Sequence, residues 1–421
     1  MKLVPRSDTA LFVGTVLWGE DLCPVSHGRL LIHQGKIARL LAESEENPPG
    51  VEVLDFGDFV ILPGLIDTHC HLTLPGDGRN PDMFLQTSSD EILVAVGISN
   101  AIQALRGGVT TLRDLGSKND TGFDIVQRLS DRLSPTPRVI TSGSVLTKPR
   151  GHGWTFGIQI PSMIAAIRSI RDLHAKGASV IKVMASGGST PGTQAWSPTF
   201  TTEELRAITS ESHRLGIPVA AHVSCPAAAK RCLDADVDDL EHLNFWVNAT
   251  YDNHMVLPLL ERIEQSGVFV GPTLQTPYRI LQGAKPSVDP RGAIRSKLYA
   301  DVLSNFEAFA RSEMRLIAGS DAGFLVTRFD ELHLGLRLMI EHGLSAERAI
   351  RAGTIEAATA LGLQDQIGCI SPGLDADLLI VRGDPLCDIE SLKAVESVFV
   401  RGKLVETDES TMIDYGITAN S

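Results

Sequence analysis

The sequence predicts an α/β protein: a (β/α)8 TIM barrel with a small β-sandwich domain formed by both chain ends. Three observations carry this. From residue 61, apolar strand-like segments alternate with amphipathic helical stretches over about 260 residues, the measure of eight strands and eight helices. Residues 10 to 60 hold strand patterns separated by turn signals, with no convincing helix between them. After about residue 370 strand patterning returns. The expected boundaries are 1–60 and 366–421 for the two parts of the β domain and 61–365 for the barrel.

The elements follow in chain order. "TALFVGTVLW", "GRLLIHQGKIARLLA" and "VEVLDFGDFVIL" read as the N-terminal strands. The barrel strands are "VILPGLIDTH", "VTTLRDLG", "RVITSGSV", "SVIKVMASG", "PVAAHVS", "DDLEHL", "VFVGPTL" and "RLIAGSDAG". Between them lie helical stretches such as "EILVAVGISNAIQALRGG", "SMIAAIRSIRDLHAKG" and "TTEELRAITSESHRLG". The last two end at Gly177 and Gly216, suitable C-terminal stops. "ADLLIVRGDPL" and "SVFVRGKLVE" supply the final strands. There is no internal repeat.

Composition narrows the partners. Lys plus Arg number 38 against 51 Asp plus Glu, a formal charge of −13. That balance argues against nucleic acid or an anionic membrane surface and leaves a small-molecule substrate as the expected partner. No apolar stretch reaches the length of a membrane span. "MKLVPRSDTALF" lacks the apolar run of a signal peptide. Cys23, Cys70, Cys225, Cys232, Cys369 and Cys387 show no C-x-x-C spacing and read as reduced thiols of a cytoplasmic protein.

In such a barrel the active site sits at the C-terminal ends of the strands. His69 and His71, two residues apart, face the same way at the end of the first strand. His222 ends the fifth strand, His242 the sixth and Asp321 the eighth. Imidazole and carboxylate donors suit zinc. Lys182 lies on the fourth strand, where a buried ammonium would be costly and would repel a cation. Reaction of the neutral amine with CO₂ gives a carbamate, an anion able to bridge two metal ions. His69 and His71 then hold one metal, His222 and His242 the second, and Lys182 joins them. Each residue alone has an ordinary explanation, such as a capping aspartate or a lysine reaching outward to solvent. The whole set at consecutive strand ends does not.

At these residues the chain resembles the amidohydrolase superfamily, and within it the imidazolonepropionase-like and Xaa-Pro dipeptidase-like branch. "LPGLIDTHCH", "GVTTLRDLG", "GHGW", "IKVMASGGSTPGT", "PVAAHVS", "LEHL", "AGSDAG" and "GLDADLLIVRGDPL" carry the resemblance, in order, from about residue 55 to 405. It implies two Zn²⁺ per chain, a carboxylated Lys182, and Asp321 as both metal ligand and general base. It also implies hydrolysis of an amide-like C–N bond by a metal-bridging hydroxide, a substrate-carbonyl contact from His152 in "GHGW", and a homo-oligomer.

The substrate is the open part. Trp154, Trp196 and Trp246 fall in loops after the strands, with Phe156, Phe200, Phe245 and Tyr278. If they line the pocket, the substrate is apolar or aromatic. Arg150 and Arg279 are candidate grips for a free carboxylate. "HVSC" lacks the tyrosine expected of dipeptidase-like relatives, which speaks against a peptidase. Dipeptidase or carboxypeptidase chemistry, carbamate or urea hydrolysis, lactone or phosphotriester hydrolysis, and mononuclear ring deamination are the alternatives. Lys182 argues against the last.

Overall fold

Strand formation at both chain ends produces one mixed sheet. Its order is Lys403–Leu404, Val395–Val400, Leu378–Val381, Glu52–Pro63, Thr9–Trp18, Cys23–His33, Lys36–Leu41. Leu379 pairs with Leu62 and Val381 with Val60, so the last third of the chain is stitched antiparallel to the first. The inward residues form a separate core in which Phe12 meets Phe399 and Phe56, ring centroids 4.8 and 5.6 Å apart. The computed structural model describes residues 8–132, 134–247, 250–251, 253–283 and 290–405.

The expected single strand "VILPGLIDTH" is two strands. Glu52–Pro63 belongs to the mixed sheet, and Leu65–Cys70 opens the parallel set. The break falls at Gly64, where a Cβ would lie 2.3 Å from the Thr110 hydroxyl. Only glycine lets the chain change sheets while packed this closely on its neighbour.

Leu65–Cys70, Val109–Asp114 and Arg138–Thr141 form one parallel sheet. A second parallel sheet runs Arg315–Leu316, Phe269–Gly271, Asp239–His242, Val219–Val223, Ile181–Met184, Leu146–Thr147, Ile158–Gln159. Backbone hydrogen bonds join the two sheets at both sides: Ser179 donates to Thr141, and Thr68 and His71 donate to Ala318 and Ala322. Every residue of Leu65–Cys70, Val109–Asp114, Ile181–Met184 and Val219–Val223 is buried. That is expected of parallel strands covered on both faces.

Helices Asp90–Arg106, Met163–Ala175 and Thr202–Arg214 occupy the stretches where helical periodicity predicts them. The last opens with a capping box between Thr201 and Glu204. Gly177 and Gly216 stop their helices in left-handed conformation. After the first helix, Ala178 donates to Leu173 and Gly177 to His174. Ile217 to Ser212 and Gly216 to His213 repeat the arrangement, the paired bonds of a Schellman end. Among the described residues no helix is long and apolar enough to cross a membrane.

Candidate metal centre

His69 is the next-to-last residue of strand Leu65–Cys70 and His71 follows the strand, their ring centroids 5.4 Å apart. Asp321 comes from the chain beyond Arg315–Leu316. Its N–H donates to the His69 carbonyl at 2.8 Å, which brings the carboxylate to the same end of the strands. Asp321 Oδ1 lies 3.7 Å from His69 Nε2 and 3.5 Å from His71 Nε2. The three side chains are buried and offer ligand atoms within 4.8 Å of one another, a spacing that one metal ion could span. His242 continues the cluster, 4.9 Å from His69 and 4.5 Å from His222, and His152 packs 4.5 Å from His222. Lys182 lies beneath them, 1% exposed. Neither its Nζ nor His69 Nε2 has a hydrogen-bond partner among the described residues.

Each ring is oriented from behind. His69 Nδ1 lies 2.8 Å from Glu241 Oε2, and His71 Nδ1 lies 3.2 Å from the Gly116 carbonyl. His242 and His152 use Nδ1 to reach Thr273 and Thr190 hydroxyls, both at 2.8 Å. His222 is tied through Nε2 instead, 3.0 Å from Ser224 Oγ and 3.3 Å from the Gly187 carbonyl. Gly188 makes room for His152, since a Cβ there would sit 2.5 Å from the ring. The backbone itself is bent to aim these groups. His242, Leu243, Phe245, Thr273 and Asp321 have φ of 69°, 50°, 55°, 45° and 57°. Left-handed backbone at non-glycine residues costs roughly 1–3 kcal/mol each and gathers at functional sites.

A profile of the amidohydrolase family spans residues 60–405, most of the chain. The chain belongs to the amidohydrolase family. Among its relatives, ochratoxinase of Aspergillus niger is 26% identical over 383 residues, covering 82% of this chain and 75% of that protein. Imidazolonepropionase of Thermoplasma acidophilum is 22% identical over 424 residues, covering 93% and 91%. In fold the present chain is similar to a Xaa-Pro dipeptidase crystallised with methionine in its active site. That match has a TM-score of 0.83 and 22% identity over 94% of this chain and all of the other. Family membership places the chain among hydrolases of carbon–nitrogen bonds that are typically metal-dependent.

The electrostatics of this amidohydrolase suit a metal. Burial pushes every imidazole of the cluster down, His71 to about 4 and His152 to about 3, and His69, His222 and His242 well below the usual value. Neutral rings with available lone pairs are the metal-binding form. Burial also lowers Lys182 to about 8, against the pull of Glu241, and raises Asp321 to about 7, against the pull of Lys182. A bound cation would reverse the pressure on the carboxylate.

His69, His71, His152, Lys182, His222, His242 and Asp321 all line one cavity of about 700 Å³. Leu85, Phe156, Trp196, Ile280 and Phe324 are on its walls. Two of the sequence-predicted substrate residues are elsewhere. Arg150 is exposed and stacks on Trp154, its guanidinium 4.4 Å from the ring centroid, and neither lines the cavity. Arg150 has a left-handed φ of 60°, a local turn that sequence periodicity does not reveal. Phe200 and Phe245 are core residues, and Arg279 pairs with Glu331. The side chain of Trp246 lies outside the described residues. Sequence reasoning missed Glu241, Arg113, Thr273 and Thr276. The adjacency of Glu241 to His242 and the arginine in "TTLRDLG" were the available signals.

Proposed function

We propose that this protein is a zinc-dependent amidohydrolase that cleaves an amide-like C–N bond of a small, uncharged, apolar or aromatic substrate. The observation that carries the reading is the meeting of four neutral histidines, Asp321 and an unpartnered buried lysine on one cavity floor. The parallel strands are read as a closed (β/α)8 barrel, with the mixed sheet as a second domain; its expected bounds, 1–60 and 366–421, shift to include Pro63, and residues 1–7 and 406–421 lie outside the described residues. His69, His71, His222, His242 and Asp321 would hold two zinc ions, with Lys182 as its carbamate between them. A bound zinc pair supplies Lewis acidity and a nucleophilic water near neutral pH.

The remaining work falls to the chain. Asp321 accepts the proton of the attacking water and passes it to the leaving nitrogen. Thr276 donates to Asp321 Oδ2 at 3.2 Å, which turns Oδ1 toward His69 and His71. His152, held through Nδ1 by Thr190, presents its other nitrogen to the carbonyl oxygen as negative charge develops there.

The walls also support the substrate class. Among the described lining residues the floor lysine is the only cation, and Asp82 places a carboxylate on the wall. A substrate with a free carboxylate would meet repulsion there. The test is turnover of zinc-loaded enzyme on matched pairs of N-aryl amides and carbamates, with and without a free carboxylate. The neutral member of each pair should be cleaved at least about ten-fold faster in kcat/KM, roughly 1.4 kcal/mol of discrimination, and chelation should abolish activity on both. Faster cleavage of the acids would point to a peptidase, and full activity without metal would remove the zinc reading.

Trp196 and Trp154 should behave differently. Trp196→Ala should raise KM for an aromatic amide several-fold more than for a small aliphatic one, because it is part of the wall. Trp154→Ala should leave that ratio unchanged, because its ring packs on Arg150. The measurement is the KM ratio of the two substrates for each variant.

A further inference from the structure

Arg113 is the largest wholly enclosed side chain among the described residues. It lies on strand Val109–Asp114, and the proposed mechanism gives it no task. All three guanidinium nitrogens are used. Nε donates to the Thr68 carbonyl at 2.6 Å, Nη1 to Asp239 Oδ2, and Nη2 to Glu241 Oε1 at 2.9 Å. Asp239 and Glu241 alternate on their strand and so share a face. The second oxygen of Glu241, Oε2, faces His69 Nδ1 at 2.8 Å. An enclosed cation with two enclosed anions is a poor way to stabilise a core, since apolar residues of similar volume do as well or better. The arrangement instead forms a line from Arg113 through Glu241 to His69, ending at the unpartnered Nε2.

We infer that Arg113 and Glu241 are positioning residues for His69. Arg113 only donates, and Glu241, as the carboxylate paired with that guanidinium, can only accept at both oxygens, one of them fixed by Arg113 and the other left for His69. The His69 ring must then carry its proton on Nδ1 and direct the Nε2 lone pair at the cavity floor. The tautomer follows from these hydrogen bonds to an ionised Glu241, and its value for metal affinity rests on the proposed zinc centre. Glu241→Gln tests this with almost no change of shape. The amide oxygen has to face Arg113, which turns the amide NH₂ toward Nδ1. The ring is then forced into the Nε2–H form, which cannot ligate through that nitrogen.

The experiment uses metal-free full-length protein with ¹⁵N-labelled histidine, the His69 signals being assigned by their loss in His69→Gln. Long-range proton–nitrogen correlation reports the tautomer directly. The unsubstituted protein should show Nδ1–H at His69, and Nε2–H there would overturn the inference whether or not any variant folds. Glu241→Gln should switch the ring to Nε2–H and weaken zinc binding in chelator competition by about 10–100-fold. An unchanged tautomer in that variant would overturn the inference. Adding Arg113→Met and Asp239→Asn removes the cation with its other anion and frees the amide to turn either way, so Nδ1–H should reappear as a second population. A triple variant as fully in the Nε2–H form as Glu241→Gln alone would overturn the part given to Arg113. A switched tautomer with undiminished zinc affinity would support the positioning and count instead against His69 as a metal ligand.

Discussion

Lys182→Ala should lose turnover and most of the second zinc equivalent while keeping the fold. Lys182 is 1% exposed, and its amine has no hydrogen-bond partner among the described residues. As an ammonium it would be an unpaired charge facing the neutral imidazoles, an arrangement that costs several kcal/mol. Burial lowers it to about 8, which leaves a usable fraction of neutral amine near pH 7.5 for reaction with CO₂. The proposed carbamate would turn this liability into an anion able to join two metal ions, so removing the side chain would remove that link. Metal analysis should fall from about two zinc ions per chain toward one or none. Added short carboxylic acid with zinc should restore part of the activity, because it supplies a bridging anion. Near-normal turnover and zinc content in Lys182→Ala would refute the binuclear centre. An unmodified lysine beside a single metal in a zinc-loaded crystal would do the same, and would favour mononuclear deaminase chemistry.

Asp321→Asn should lower turnover by about 10²-fold or more, a usual loss when a general base is removed. The substitution keeps an oxygen near His69 and His71 and can keep the contact with Thr276, so much of the zinc should remain. The two readouts, kcat and metal content, therefore separate a lost base from a lost ligand. Loss of both together would show that Asp321 serves chiefly to hold metal. Normal kcat would show that proton transfer runs through another group.

Local patterning made much of the fold legible. Apolar strands alternating with amphipathic helices are encoded over spans of about 5 to 15 residues by side-chain periodicity. The α/β class, the helices Asp90–Arg106, Met163–Ala175 and Thr202–Arg214, and the glycine stops after two of them could therefore be read directly. The change of sheet at Gly64 could not, because its cause is the approach of Thr110 from another strand. The candidate site divides in the same way. Histidines at strand ends are visible one by one in the sequence, since a strand end is a local property.

By itself, then, the sequence determined which residue types arrive at the ends of the strands, and the family they resemble. Only the tertiary structure decided what those residues meet. Asp321 faces His69 and His71 because its backbone is left-handed and hydrogen-bonds to His69, a partner some 250 residues away. Trp196 belongs to the cavity wall while Trp154 turns out to meet Arg150, although both read as loop aromatics. Glu241 seemed only a neighbour of His242, yet it serves His69 and is gripped by Arg113 from a third strand. The physical reason is common to all three. Periodicity fixes which way a side chain leaves its own element, whereas its partner depends on the register between strands and on the turn that follows, and both are set by the packing of distant segments.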